Sequence, residues 1–517
     1  MTTAKGKAGN ALRWVALPGG PLLGGLIYLL LSNAGLEHAA CAVGASASWM
    51  ALWWMTEAVP LAATSMLPLV LFPALQVTDM RGAAAPYAHP LVALFFGGFV
   101  LGLAVERWGL HRRLALATVL LVGTKPTRLI AGFMLATAVL SMFISNTATS
   151  LMMLPIAVSV ITLLERLDAS GGADSRRNFG PALLLAIAFS SSIGGVATVT
   201  GTQPNLLTVG FLRERGVDID WGQWLPFGVT LCVTMLPITW LVLTRVTLPV
   251  RVADIPGVKG LLRDEYHGLG SITRGEWTVI LVFAWVALGW VFRGPTEEWL
   301  VRNGFETLQA TLSSLGDAGI AMIGALVLFA IPVNAKERIF AMDWAHTSKM
   351  PWDVLLLFGG GLSLAAAMQS SGLDVYIGDQ MSGLRGLPPW AIIGIVTVSV
   401  VMLTELTSNT ATTAALVPVL GGAAPGLGLD PAMLMIPAGV VASFAFMLPV
   451  ATPPNAIVFS SGRVSIRQMA WSGLILSVVG ACVITTVMST VGPRLLGLDT
   501  SAEAETPGAA VAPDPAA

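Results

Sequence analysis

Charge is scarce in this chain: Asp, Glu, Lys and Arg make up only 11% of its 517 residues, under half the roughly 25% usual in soluble domains. The formal net charge is −1 and no dense basic stretch with interleaved aromatics occurs, which excludes a nucleic-acid partner. Cysteine is nearly absent. Cys41, Cys232 and Cys482 sit in apolar segments without CxxC spacing, so neither a disulfide framework nor a zinc site is expected, and packing is their role. The five histidines, His38, His89, His111, His267 and His346, are scattered without HExxH spacing, and no GxSxG or P-loop motif is present. No catalytic residue and no cofactor box is therefore assigned, and the chain does not read as an enzyme.

What is abundant is apolar: 55% of residues are hydrophobic and the mean hydropathy is +0.77. The expectation is an all-α polytopic membrane protein, since runs near 20 residues are enough to cross a ~30 Å hydrocarbon core. Eleven crossings are read at 19–36, 41–58, 61–75, 90–106, 181–212, 222–248, 276–294, 318–333, 352–372, 431–461 and 468–493. The N-terminal 1–18, basic but without a small-residue cleavage site, reads as cytoplasmic and uncleaved. The tail 498–517 is low-complexity and expected to be disordered. With the N-terminus inside, 21 of the 28 Lys and Arg fall on the cytoplasmic side, as loop charge bias requires. This leaves the C-terminus outside, and the multi-pass chain in the cell inner membrane.

Two tripeptides organise the chain. Ser145-Asn146-Thr147 and Ser408-Asn409-Thr410 lie 263 residues apart, each continuing as Ala-Thr and reaching a proline ten positions after its serine, Pro155 and Pro418. The regions around them, 128–165 and 391–424, read as re-entrant hairpins with the motifs at their tips. Phe96-Gly97-Gly98 and Phe358-Gly359-Gly360 precede the two motifs. Gly201-Thr202-Gln203-Pro204-Asn205 and Ala451-Thr452-Pro453-Pro454-Asn455 follow them. This is an internal repeat, and five crossings between matched helices make it an inverted one, a transporter signature.

A Pro-Asn break inside an apolar segment frees backbone groups that lipid cannot satisfy. Half-helices at 200–205 and 451–455 would turn freed carbonyls to a hard cation and helix N-termini to an anion. The hairpin tips would add hydroxyl and amide oxygens. Glu57, in WWMTEAVP, and Glu405 are the intramembrane carboxylates, either paired or functional.

On both Ser-Asn-Thr motifs, the WWMTEAVPLAATSMLPLVLFP stretch at 53–73 and the Pro-Asn loops, the chain resembles the divalent-anion:sodium symporter family across residues 19–493. The resemblance implies a homodimer whose protomers each have a scaffold domain and a transport domain that moves as an elevator. Segments 19–75 and 222–333, the latter with a cytoplasmic linker, lack Pro-Asn breaks and read as the scaffold helices, with transport cores at 90–212 and 352–461 and a last helix at 468–493. A first sodium site would use Ser141, Ser145, Asn146 and the Gly201 backbone. A second would use Thr404, Thr407, Asn409 and the Ala451 backbone, with Thr407 giving backbone only. Substrate carboxylates would meet Ser145, Asn146, Thr147, Thr202, Ser408, Asn409, Thr410 and Thr452. Gln203 departs from the pattern, standing where the other loop has Pro453.

The function expected is sodium-coupled symport of C4 dicarboxylates such as succinate, malate or fumarate, with sodium co-transported. Alternatives are symport of sulfate or another inorganic dianion, a dicarboxylate exchanger of the same family and, from another class, an intramembrane enzyme or channel. No Arg or Lys lies within either motif, so a dianion would depend on bound sodium and helix dipoles for compensating charge.

Overall fold

The computed structural model describes residues 4–167, 178–250 and 257–498; the tail expected to be disordered lies outside them after Leu498. The chain is mostly helical, and the described residues include one short β-hairpin, Pro332–Asn334 paired antiparallel to Ile339–Phe340. Among the described residues nine helices are long and apolar enough to cross a membrane. The eleven runs read from hydropathy divide differently. The 61–75 run is two short helices, Leu61–Thr64 and Leu67–Ala74. The first helix spans Ala4–Asn33, with its apolar stretch from Arg13 rather than residue 19.

The repeat is visible in the backbone. Pro90–Arg107 and Trp352–Ser370 are the Phe-Gly-Gly helices, and Phe95 meets Phe358 edge-on with ring centroids 4.6 Å apart. Each is followed by a left-handed glycine, Gly109 (φ 69) and Gly372 (φ 71), which lets the chain reverse without Cβ strain. Both glycines start a short helix, Leu110–Val122 and Leu373–Gln380. Prolines then open the first hairpin arms, Pro126–Ser141 and Pro389–Thr404, at the helix position where a missing N–H costs nothing. The second arms, Asn146–Leu167 and Asn409–Gly426, begin at the asparagines of the two motifs.

Two helices break where expected. Phe179–Val196 ends, six irregular residues follow, and Gln203–Glu214 resumes; Pro431–Ala442 gives way to an irregular stretch before Pro453–Ser460. Every residue of Phe179–Val196 is buried, which makes this half-helix the axis of the core. It packs on the arm Pro126–Ser141, where a methyl on Gly194 would stand 2.4 Å from the Ala138 backbone. Phe189 and Phe446 join the two halves, 5.0 Å apart.

Two helices lie in stretches read only as cytoplasmic loop. Leu110–Val122 and Val258–Gly268 are tied by Arg112 to Glu265, while Arg113 bonds Glu276 at 2.7 Å and the Gly270 carbonyl at 2.9 Å. The 222–333 segment, which has no Pro-Asn break, contains a break of another kind. Glu306–Ala330 is interrupted at Gly316 (φ 57, ψ −168). Next to it, buried Asp317 accepts from Arg293 Nε at 2.7 Å and from the Trp221 N–H at 3.0 Å. Arg293 also reaches Asp220 and Glu297, each at 3.1 Å, so one guanidinium joins three helices.

Candidate functional site

Each hairpin turns at its motif because the first arm ends and the second begins within a few residues, so both helix ends carry unpaired backbone groups. At the first tip Ser141, the last residue of its arm, donates its hydroxyl to Asn146 Oδ1 at 2.6 Å. At the second, Thr404 donates to Asn409 Oδ1 at 2.8 Å. The pairs have the same spacing and the same atoms. Thr404 Oγ1 also lies 2.9 Å from the Ala442 carbonyl, at the end of the broken helix. A hydroxyl has one proton and can donate to only one of these oxygens at a time. Three oxygens thus converge with a proton for one contact, a donor set suited to a hard cation.

The first half converges similarly. The position a Cβ on Gly195 would occupy is 2.7 Å from Asn146 Oδ1 and 3.1 Å from the Gly201 carbonyl. Glycine is required there for the tip amide and the loop carbonyl to approach each other. Among the described residues no group of three or more His, Cys, Asp or Glu could hold a metal ion. The oxygens that converge at the two tips are hydroxyl, amide and backbone carbonyl oxygens, all neutral.

The loops are built alike. Thr202 and Thr452 are both extended, φ −142 and −139, and each precedes a half-helix. Asn205 donates its amide to the carbonyls of Gly195, Val196 and Thr198, and Asn455 to those of Ala445 and Leu448. The shared offsets, ten and seven residues back, show one device used twice. It satisfies carbonyls that the helix break leaves unpaired.

Tip and loop are also tied in each half, by different chemistry. In the first, the Thr198 hydroxyl donates to the Met142 carbonyl. In the second, buried Glu405 stands 263 positions after Met142 and accepts from the N–H groups of Phe446, Met447 and Leu448 and from Ser477. The polar side chain has moved from the loop to the tip. Glu57, the other carboxylate singled out, has a left-handed backbone (φ 47) and pairs with Arg13 at 3.4 Å.

The halves meet at the residues expected to contact substrate. Thr202 Oγ1 is 3.4 Å from Ser443 Oγ, and Thr410 donates to Gln203 Oε1 at 2.5 Å. Other assigned side chains are engaged locally. Ser145 Oγ accepts from the Ala148 N–H at 3.2 Å and caps the second arm, with no side-chain bond to the Ser141–Asn146 pair. Thr407 bonds the Leu403 carbonyl and Thr412 rather than Asn409, and Thr452 accepts from the Asn455 N–H. Thr147 and Ser408 flank the asparagines at the tips, both part-buried. The Ala442 carbonyl, the Asn205 and Asn455 ties and the Gln203 contact were not anticipated. The repeated Pro-Asn offered a signal for the asparagines, whereas a carbonyl carries none.

This paired arrangement has relatives. A family model described as the sodium:sulfate symporter transmembrane region matches residues 21–498. The chain belongs to the sodium:sulfate symporter family. Within that family it is 37% identical to a protein of Staphylococcus saprophyticus named sodium-dependent dicarboxylate transporter SdcS, over 95% of this chain and 94% of the relative. It is 38% identical to the SdcS of Staphylococcus aureus strain USA300, over 96% and 94%. Among solved structures the fold is similar to the Alcanivorax borkumensis YdaH transporter, with a TM-score of 0.51, 15% identity, and 78% of this chain and 86% of that one covered. It is also similar to Neisseria gonorrhoeae MtrF, with a TM-score of 0.52, 11% identity, and 81% and 84% covered. At those identities the likeness concerns the fold. As a member of the sodium:sulfate symporter family, the chain is a multi-pass membrane transporter.

Proposed function

We propose that this transporter carries C4 dicarboxylates such as succinate together with sodium. The observation that carries the reading is the repeated hydroxyl–amide pair, Ser141 with Asn146 and Thr404 with Asn409, set against the two helix breaks. The names of the SdcS relatives support the substrate and the ion. One sodium is held by Ser141, Ser145, Asn146 and the Gly201 carbonyl; another is held by Thr404, Asn409 and the Thr407 and Ala451 backbone, with the Ala442 carbonyl added. Ser145 takes part through its backbone, its hydroxyl being the cap of the second arm. The carboxylates then meet Asn146, Thr147, Thr202, Ser408, Asn409, Thr410 and Thr452, at the starts of helices whose N-terminal dipoles favour anions.

Sodium binding first draws tip and loop together and supplies the positive charge that these neutral side chains lack, so a dianion enters a site already compensated. Labelled succinate uptake by purified protein in liposomes should be competed by malate and fumarate. Stronger competition by sulfate than by any dicarboxylate would move the assignment to an inorganic dianion.

The hairpins and broken helices travel as one body in this reading, against a frame that includes 19–75 and 222–333, in a homodimer in the inner membrane with the N-terminus cytoplasmic and the C-terminus outside. Support comes from the oxygen ligands, which are shared between tips and loops and must move together to stay intact. Disulfide crosslinks between core and frame should stop uptake while sodium binding remains. Full transport through completely crosslinked protein would exclude the moving core.

A further inference from the structure

The two loops differ at Gly201 against Ala451 and at Gln203 against Pro453, and the second difference faces the other half. Pro453 opens the half-helix Pro453–Ser460, whereas Gln203 opens Gln203–Glu214. Proline at a first helical position contributes no donor. Glutamine there restores a backbone N–H, and this one has no hydrogen-bond acceptor among the described residues. It also brings a carboxamide. That carboxamide reaches across the repeat to buried Thr410, whose hydroxyl donates to Oε1 at 2.5 Å. Oε1 is so occupied, and Nε2, which carries two protons, has no hydrogen-bond partner among the described residues. Gln203 is only part-buried, beside Thr202, which reaches Ser443. The first-half wall of the site therefore carries donors that the second-half wall lacks.

We propose that Gln203 is a specificity-determining residue that favours dicarboxylates bearing a hydroxyl beside one carboxylate over plain ones. This rests on the dicarboxylate reading above and names which member of the class the site prefers. A carboxylate already finds hydroxyls, amides and helix N-termini from both halves. A further acceptor oxygen on the carbon next to the carboxylate gives the extra amide protons a partner of their own, where a plain dicarboxylate can offer only carboxylate oxygens already shared with the other donors. A site with a donor placed for such an oxygen disfavours the analogue lacking it, because the donor is then desolvated without a partner. Thr410 sets the direction, since by donating to Oε1 it turns Nε2 to the ligand.

The test compares malate and succinate as competitors of labelled fumarate uptake in sodium-loaded assays of wild type, Gln203→Leu and Gln203→Pro. Fumarate carries no hydroxyl, so the tracer is neutral to the question. Gln203→Pro copies the residue of the matched loop and protects the test should the leucine variant fail to fold. The ratio of half-inhibitory succinate to malate should fall by about five- to tenfold in either variant, the effect of one neutral hydrogen bond, with half-saturating sodium unchanged. An unchanged ratio in a variant that still transports overturns the proposal, as does a uniform loss of affinity for both acids. Absence of sodium-dependent dicarboxylate uptake in the wild type would instead overturn the function on which it rests.

Discussion

Asn146→Ala and Asn409→Ala should each raise the sodium concentration needed for half-maximal succinate uptake by about tenfold to a hundredfold, the equivalent of losing a hydrogen bond to a charged group, about 1.5–3 kcal/mol. Each removes an Oδ1 that receives the hydroxyl at the end of the first arm, Ser141 or Thr404. Without that oxygen Thr404 keeps the Ala442 carbonyl and Ser141 has no further partner among the described residues, and the proposed cation loses a ligand from the tip. In the proposed order, with sodium organising the site before the anion enters, apparent succinate affinity should fall as well. Sodium titrations at saturating succinate, on protein shown to be correctly inserted, separate the two effects. An unchanged sodium dependence in either variant would remove that asparagine from the cation site.

Gly195→Ala should abolish sodium-driven uptake while leaving the protein folded. The new methyl would stand 2.7 Å from Asn146 Oδ1 and 3.1 Å from the Gly201 carbonyl, and the first of these is the end of a side chain that can swing aside. Swinging aside is the damage, because it separates the amide from Ser141 and from the loop. Gly194→Ala, one residue earlier, should behave differently. Its methyl meets the Ala138 backbone at 2.4 Å, which cannot yield without displacing the hairpin arm from the buried half-helix, and overpacking of that kind typically costs 1–3 kcal/mol or more. Size-exclusion profile and thermal midpoint, measured beside uptake, distinguish lost function from lost fold. Gly195→Ala with normal uptake would show that tip and loop need not approach there.

The repeat was legible because it is written in residues with strong local consequences. Pro126 and Pro389, Gly109 and Gly372, and Asn146 and Asn409 all stand 263 positions apart, so hairpins and breaks follow from composition at fixed offsets. Elements missed by reading apolar runs are those that hydropathy does not mark. Leu110–Val122 is short with two arginines near its start, and Val258–Gly268 is short and rich in charge, so both resemble loops to any window tuned to a bilayer. The break at Gly316 lies among Ser313, Ser314 and Asp317, just before the apolar run read from 318, and shows only as a backbone dihedral. Within the site, the tip asparagines and loop threonines were readable. Ser145 as a helix cap, Thr407 turned to Leu403 and Thr412, and Ala442 as an added carbonyl depend on where backbone atoms come to rest, which residue identity does not encode.

Accumulation of labelled succinate by the purified protein in sealed liposomes, under an inward sodium gradient and then under an equal gradient of potassium or choline, tests the central claim most directly. Succinate should rise above its external concentration only with sodium, and should leak back when a sodium ionophore collapses the gradient. Undiminished accumulation in the absence of sodium, under a proton gradient alone, would contradict a site built to load sodium before the dianion.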